Sequence, residues 1–252
     1  MRGGVRRSQG EVHDNYCIQS PAHHAGRRPW NRRTTASWRH RRVLTAATYV
    51  VGLGLIGVYL APRGFLDVQG NPKDSLAFLL DHQVTLYSWY VVLYVVGGIA
   101  LVSLVLGVHS RLRTGAVGLS QTASVFGHLW AGLLLASGLI ALVGQRAVVE
   151  LAATNSAMAA STWSSVSVVQ SGLGGGIEIV GAIWVMLVSV AGIRSRVLGY
   201  GLGALGIGIA VAGAWTIVPP AAEYAAPVFG LGLIVWFVWM GVTLLRRPRQ
   251  LA

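Results

Sequence analysis

Two side chains could do acid–base chemistry from within strongly apolar surroundings, Glu178 and His128. An ionised group at a bilayer centre costs about 2.5–3.5 kcal/mol on insertion scales, so such a residue reads first as a site. Helical periodicity places Ser171, Gly174, Gly175, Glu178, Gly181, Ala182, Val185, Ser189 and Gly192 on one stripe. Nearly all are small, and small residues let a second helix approach closely, which turns Glu178 into a bundle and away from lipid.

A second stripe carries Tyr87, Tyr90, Tyr94, Gly97 and Gly98. Tyr90 falls ~9 Å from the outer end of its run. That is about the depth of Glu178, so a tyrosine hydroxyl could meet the carboxyl. A third face carries Gln121, Ser124, His128 and Gly132, with His128 ~10 Å nearer the inner side. These placements predict a small polar cavity lined by Glu178, Tyr90, Tyr94, His128 and Gln121. The same residues allow a plainer reading, in which a protonated Glu178 glues helices together and binds nothing.

The elements that position them follow from composition. The chain is 54% hydrophobic and 11% charged, against about 25% charged in soluble domains. Six apolar runs cover Val43–Leu60, Val84–His109, Gln121–Val143, Gly172–Ile193, Val197–Val218 and Ala226–Leu245. Each spans about 27 Å or more as a helix, close to the ~30 Å hydrocarbon core. None alternates as a barrel strand does. The expected fold is an all-α membrane protein, a bundle of six transmembrane helices over 43–247, preceded by a basic tail over 1–42.

Charge placement tests that count independently of hydropathy. With the N-terminus inside, 17 basic residues fall on cytoplasmic segments and only Arg63, Lys73 and Arg146 outside. Both termini are therefore expected in the cytoplasm. The bias of 19 arginines to one lysine suggests a GC-rich bacterial source and hence a bacterial inner membrane. Ten of the basic residues precede Val43, where a tail suits lipid headgroups better than a nucleic-acid surface. Asp74 or Ser75 is expected to cap a short outer helix that runs into the second span. Residues 145–171 predict a short surface helix, with Trp163 at the headgroups. Trp130, Trp184 and Trp236 read as packing residues. Gly199 with Gly203, and Ala204 with Gly208, mark a tight helix contact within the chain or between two copies.

Several chemistries are missing. There is no HExxH, no GxSxG and no paired acidic motif. Gly172–Gly176 lacks the Gly-Lys-Ser/Thr of a phosphate loop, and close helix packing is the expected use of its glycines. Cys17 alone makes no intrachain disulfide or thiolate cluster. No cofactor or metal is implied. Arg41-Arg42 precedes no small-x-small cleavage site, so a removed signal is not expected. No inverted repeat is visible, which counts against a transporter.

The stretch from Gly176 to Arg247 has a pattern of its own: Glu178-x-x-Gly181-x-x-Trp184, then Arg194-Ser195-Arg196-Val197-Leu198-Gly199, Gly203-x-x-Gly206 and Val218-Pro219-Pro220. It resembles a family of uncharacterised bacterial membrane proteins with about six spans, a domain of unknown function. Members often carry Leu-Pro-Arg at the short inner loop, where this chain has Arg196-Val197-Leu198-Gly199. The resemblance implies no substrate and no catalytic residue. The expected role is non-enzymatic binding of a lipid, a small ligand or a partner protein, with membrane lipids and a second copy among the partners. The rival is a small or proton-coupled carrier that uses Glu178.

Overall fold

The computed structural model of the chain describes residues 71–175 and 178–246. The basic tail, Cys17 and the first apolar run, Val43–Leu60, lie outside the described residues. What is described is helical throughout, and four stretches are long and apolar enough to cross a membrane: Gln83–Leu112, Val117–Ala152, Ser156–Arg194 and Pro219–Thr243. A shorter apolar helix, Tyr200–Trp215, lies between the last two. The chain is an all-α, multi-pass membrane protein.

Helix α1, Pro72–Asp81, starts earlier than the sequence predicts. Asn71 is its cap, with Oδ1 accepting from the Lys73 N–H at 3.0 Å, and Pro72 fills the first position, where no donor is needed. Asp74 sits in the first turn, where its charge suits the helix dipole, but it is not the cap. Leu76, Phe78 and Leu79 are buried. At His82 the ring stacks on Phe78 at 4.3 Å and its Nδ1 bonds the Phe78 carbonyl at 3.2 Å. The chain bends there and continues as α2, Gln83–Tyr90, then a π-helical turn over Val91–Val96, then α3, Gly97–Leu112.

Helix α4, Val117–Ala152, has 36 residues, about 54 Å of rise. It extends well past the apolar run at 121–143. A short turn leads to α5, Ser156–Gln170, capped by Asn155 Oδ1 on the Met158 N–H at 3.0 Å. These two elements replace the short surface helix expected at 145–171. Helix α5 folds back along α4, where Val166 fills the space beside Gly144. Trp163 is not a headgroup anchor: it is 5% exposed and its Nε1 donates to Ser75 Oγ at 3.2 Å, tying α5 to α1. Ala159 and Ala160 make the close approach possible, since they bury little bulk.

Helix α6, Ile179–Arg194, is only 16 residues long, about 24 Å. It packs between α4 and α7, Tyr200–Trp215. The turn between α6 and α7 is closed by the Leu198 N–H on the Gly192 carbonyl at 3.0 Å, with Arg196 in the left-handed region at φ 56°. Glycines set the spacing. A Cβ on Gly181 would meet the Trp130 ring at 2.6 Å, and one on Gly127 would meet Trp184 Cδ1 at 2.7 Å. The small pairs on α7 divide: Gly203 faces Ile193 within the chain, whereas Gly199 and Gly208 have nothing within 4 Å. Helix α8, Pro219–Arg246, begins at the Pro pair, seven residues before the apolar run at 226. The centre of the bundle is aromatic, with Trp130, Trp184 and Trp236 all buried, as the sequence predicts. Ring centroids lie 5.7 Å apart for Trp130–Trp184 and 5.8 Å for Trp184–Trp236.

Candidate functional site

The helical run from Ser156 to Arg194 is broken within the apolar region. After α5 it loosens into a π-helical turn over Ser171–Gly175, and Gly174 takes φ 138°, ψ 21°. Side chains are all but excluded from that conformation, which is why a glycine stands here. Close packing, the use expected for the glycines of this run, does not explain Gly172 or Gly174. A Cβ on Gly172 would meet nothing within 4 Å, and one on Gly174 only Leu134 Cδ2 at 4.0 Å. Gly174 breaks the helix, and neither of these two glycines admits a close neighbour. Because α6 spans about 24 Å and the hydrocarbon core ~30 Å, the break falls inside or at the rim of that core.

Glu178 is the first residue beyond the break and holds the N-cap position of α6. The stripe predicted for it is therefore interrupted above it. Below it the stripe is real, with Gly181, Ala182, Val185, Ser189 and Gly192 all buried. The Glu178 backbone N–H donates to Thr216 Oγ1 at 2.9 Å, and that hydroxyl donates on to the Gly213 carbonyl at 2.7 Å. Thr216 closes the C-terminal end of α7. The start of α6 is thus pinned to the end of α7 through one hydroxyl.

Tyr94 approaches from the π-helical turn of the second span. It is buried against Gly138 of α4, where a Cβ would collide with it. Gln170 and Glu178 are polar side chains whose electrostatic influence reaches its hydroxyl. Gln170 is the last residue of α5, and its carbonyl accepts from Ser137 Oγ of α4 at 3.0 Å. Tyr90 is buried one turn away, its ring 5.7 Å from that of Tyr94. Tyr87 leaves the predicted stripe, being 50% exposed. Both π-helical segments pack on α4, around the Ser137–Gly138 level that contacts Gln170 and Tyr94. Such bulges often accompany functional sites because they re-aim side chains out of helical register.

Two predicted members do not join. Position 128 lies ten residues from Gly138 along α4, about 15 Å by helical rise. His128 Nδ1 bonds the Ser124 carbonyl at 2.7 Å, so the ring is satisfied by its own helix. Gln121 is exposed, and Gly132 on the same face has nothing within 4 Å of a Cβ. That face of α4 points away from the cluster. The structure sets Tyr94, with Tyr90 one turn away, within the electrostatic reach of Glu178 and adds Ser137, Gln170 and Thr216. Those three are not in the predicted set, because a lone Ser, Gln or Thr carries no spacing signal. Position 170 beside a glycine run was the one available clue.

The electrostatics are unbalanced. The Glu178 side chain is half-buried and makes no hydrogen bond or ion pair with a described residue. Arg146 pairs with Glu150 on the exposed end of α4. An ionised carboxylate at the bilayer centre costs about 2.5–3.5 kcal/mol. The positive end of α6 returns roughly 0.3–1 kcal/mol, or ~2 kcal/mol in the best partly buried cases. The dipole alone does not make up the difference, so a proton or another positive charge must. Among the described residues no three His, Cys, Asp or Glu side chains come together to hold a metal. A separate small cavity lies beside the turn between α6 and α7, lined by Val108, Arg111, Leu112, Val188, Val197, Leu198 and Met240.

No family model matches this chain, and comparison with curated proteins and with solved structures gave no match.

Proposed function

We propose that this multi-pass membrane protein binds a small ligand, without catalysing a reaction, at the helix break around Glu178. The observation that carries the reading is the half-buried Glu178 carboxylate, placed at a broken membrane helix with no described partner. Tyr94, Tyr90, Gln170 and Thr216 complete the polar wall. In this reading the chain has six spans, with the run at 43–60 as the first and both termini in the cytoplasm of a bacterial cell. It belongs with the six-span bacterial family that its last third resembles. Membrane lipids surround it, and the exposed Ala204–Gly208 edge of α7 suits a second copy.

The test is native mass spectrometry of the protein released gently from its own membrane, wild type beside Glu178→Gln. A defined small molecule retained by wild type and lost from the variant is expected. Identical spectra, showing only bulk lipid in both, would overturn the reading and leave Glu178 as helix glue.

A second reading, a carrier, is favoured by one feature. Discontinuous membrane helices are the common way in which transporters place a site near mid-membrane, and the break at Gly174 is such a discontinuity. Uptake into proteoliposomes of whatever wild type retains separates carrier from binder.

A further inference from the structure

We propose that the arginines of the connections at 111–116 and 194–199 hold the headgroup of an anionic phospholipid. These connections lie at the opposite end of α6 from Glu178, and the two sites are independent.

The two connections touch. A Cβ on Gly115, between α3 and α4, would lie 2.7 Å from Ser195 Cβ, between α6 and α7. Arg111 and Arg113 belong to the first connection, Arg194 and Arg196 to the second. Arg113, Arg194 and Arg196 are exposed. Arg111 and Leu112 line the small cavity, together with Val197 and Leu198 of the second turn. The cavity therefore joins the same two connections that meet at Gly115 and Ser195.

The charge gathered there is one-sided. No Asp or Glu occurs from 82 to 149 or from 179 to 222, so neither connection brings an acid of its own. The acids among the described residues, Asp74, Asp81, Glu150, Glu178 and Glu223, sit toward the other ends of their helices. Glu178 and Arg194 are at opposite ends of α6, about 24 Å apart by helical rise. Helix dipoles do not absorb the charge either. Helices α3 and α6 end at this level while α4 and α7 begin there, so two negative and two positive ends offset one another. Arginines on touching turns repel, and an anion between them relieves that repulsion. Phosphate oxygens match the paired donors of guanidinium groups.

Depth selects a lipid over a free anion. Tyr200, 79% exposed, directly follows the second turn, and Trp215, 62% exposed, ends α7. Exposed aromatics at the two ends of one short apolar helix mark the two membrane interfaces. The turn before Tyr200 is thereby held at headgroup depth. The cavity beside it is apolar but for Arg111, and it offers hydrocarbon surface to the chain that carries the headgroup. A free phosphate gains nothing from such a wall.

The experiment is native mass spectrometry of the full-length protein, stripped of lipid in a neutral detergent and then given equal amounts of phosphatidylglycerol and phosphatidylcholine. Wild type should retain phosphatidylglycerol several-fold over phosphatidylcholine. Arg113→Gln combined with Arg194→Gln should lose that preference. Each single substitution should weaken it, so the test survives if the double variant folds poorly. Arg27→Gln combined with Arg28→Gln removes the same charge from the basic tail and should behave as wild type. Excess inorganic phosphate at constant ionic strength should leave the retained lipid in place. No preference in wild type, an undiminished preference without Arg113 and Arg194, or a preference lost with the tail pair overturns the proposal. Displacement by inorganic phosphate overturns it too, because the ligand is then a free anion.

Discussion

Gly174 and Gly172 are two residues apart in one apolar run, yet they should respond oppositely to the same substitution. At Gly174 the backbone has φ 138°, ψ 21°, a region that an alanine enters only with strain of about 1–3 kcal/mol. The space is not the problem, since the nearest atom to a Cβ there is Leu134 Cδ2 at 4.0 Å. At Gly172 no positive φ is present and a Cβ meets nothing within 4 Å. Alanine there should be neutral or stabilise by roughly 0.5–1 kcal/mol, through better helix propensity and a less floppy unfolded chain. The difference between Gly174→Ala and Gly172→Ala is therefore about 1–4 kcal/mol. Unfolding in a graded mixture of mild and harsh detergents, followed by the fluorescence of the buried tryptophans, reads it directly. Gly174→Ala should also disturb Glu178, because the chain relieves the strain by shifting the start of α6. Equal and mild effects at both positions would refute the claim that backbone conformation holds the break.

Four further outcomes are expected. Thr216→Val leaves the Glu178 N–H without its acceptor and should destabilise by about 1–3 kcal/mol, the usual penalty for stranding a buried donor, in the same detergent assay. Gly206→Ala should cost about 1–3 kcal/mol by overpacking, because its Cβ would collide with Ser189 Oγ. That hydroxyl has no hydrogen-bond partner among the described residues, so Ser189→Ala should be nearly neutral and should partly rescue Gly206→Ala in a double-mutant cycle. Trp163→Phe loses the bond to Ser75 and also leaves a gap where the larger indole was buried, and should lower stability by about 1–3 kcal/mol. In a Cys17→Ser background, Thr154→Cys should react with a membrane-impermeant maleimide from outside intact cells and Thr114→Cys should not; the reverse pattern would invert the proposed topology.

The apolar runs were legible because hydrocarbon imposes a length and a composition that few other structures share. Five of the six runs fall on described helices, and the sixth lies outside them. What escaped was helical structure that does not need lipid. The end of α4 carries Gln145, Arg146 and Glu150, and α5 is rich in Ala, Ser and Thr, residues too polar for a clear hydropathy signal, yet in α5 small enough to pack tightly against α4 and α1. At the site, Glu178 and the tyrosines were legible because an acid in an apolar run is costly and because tyrosines at helical spacing share a face. His128 and Gln121 were grouped with them because a helical stripe fixes a face but not which neighbour it meets. The rotation of α4 presents Gly127, Trp130, Ala131 and Gly138 to the bundle and leaves positions 121 and 128 on another side. The glycine run was visible and misread. Sequence shows that glycines are present, whereas only backbone angles show that one of them takes a conformation closed to other residues.

The tight turn between α6 and α7 bears on how the chain enters the membrane during synthesis. A five-residue connection, 195–199, and complementary faces at Ser189–Gly206 and Ile193–Gly203 make the two helices a hairpin that can pair as it leaves the insertion machinery. Paired in this way, Thr216 is already beside the Glu178 backbone when that segment first meets lipid. The second arm thus shields the polar start of the first. Lengthening the turn would separate the two arms in time, and the segment carrying Glu178 would then have to partition alone.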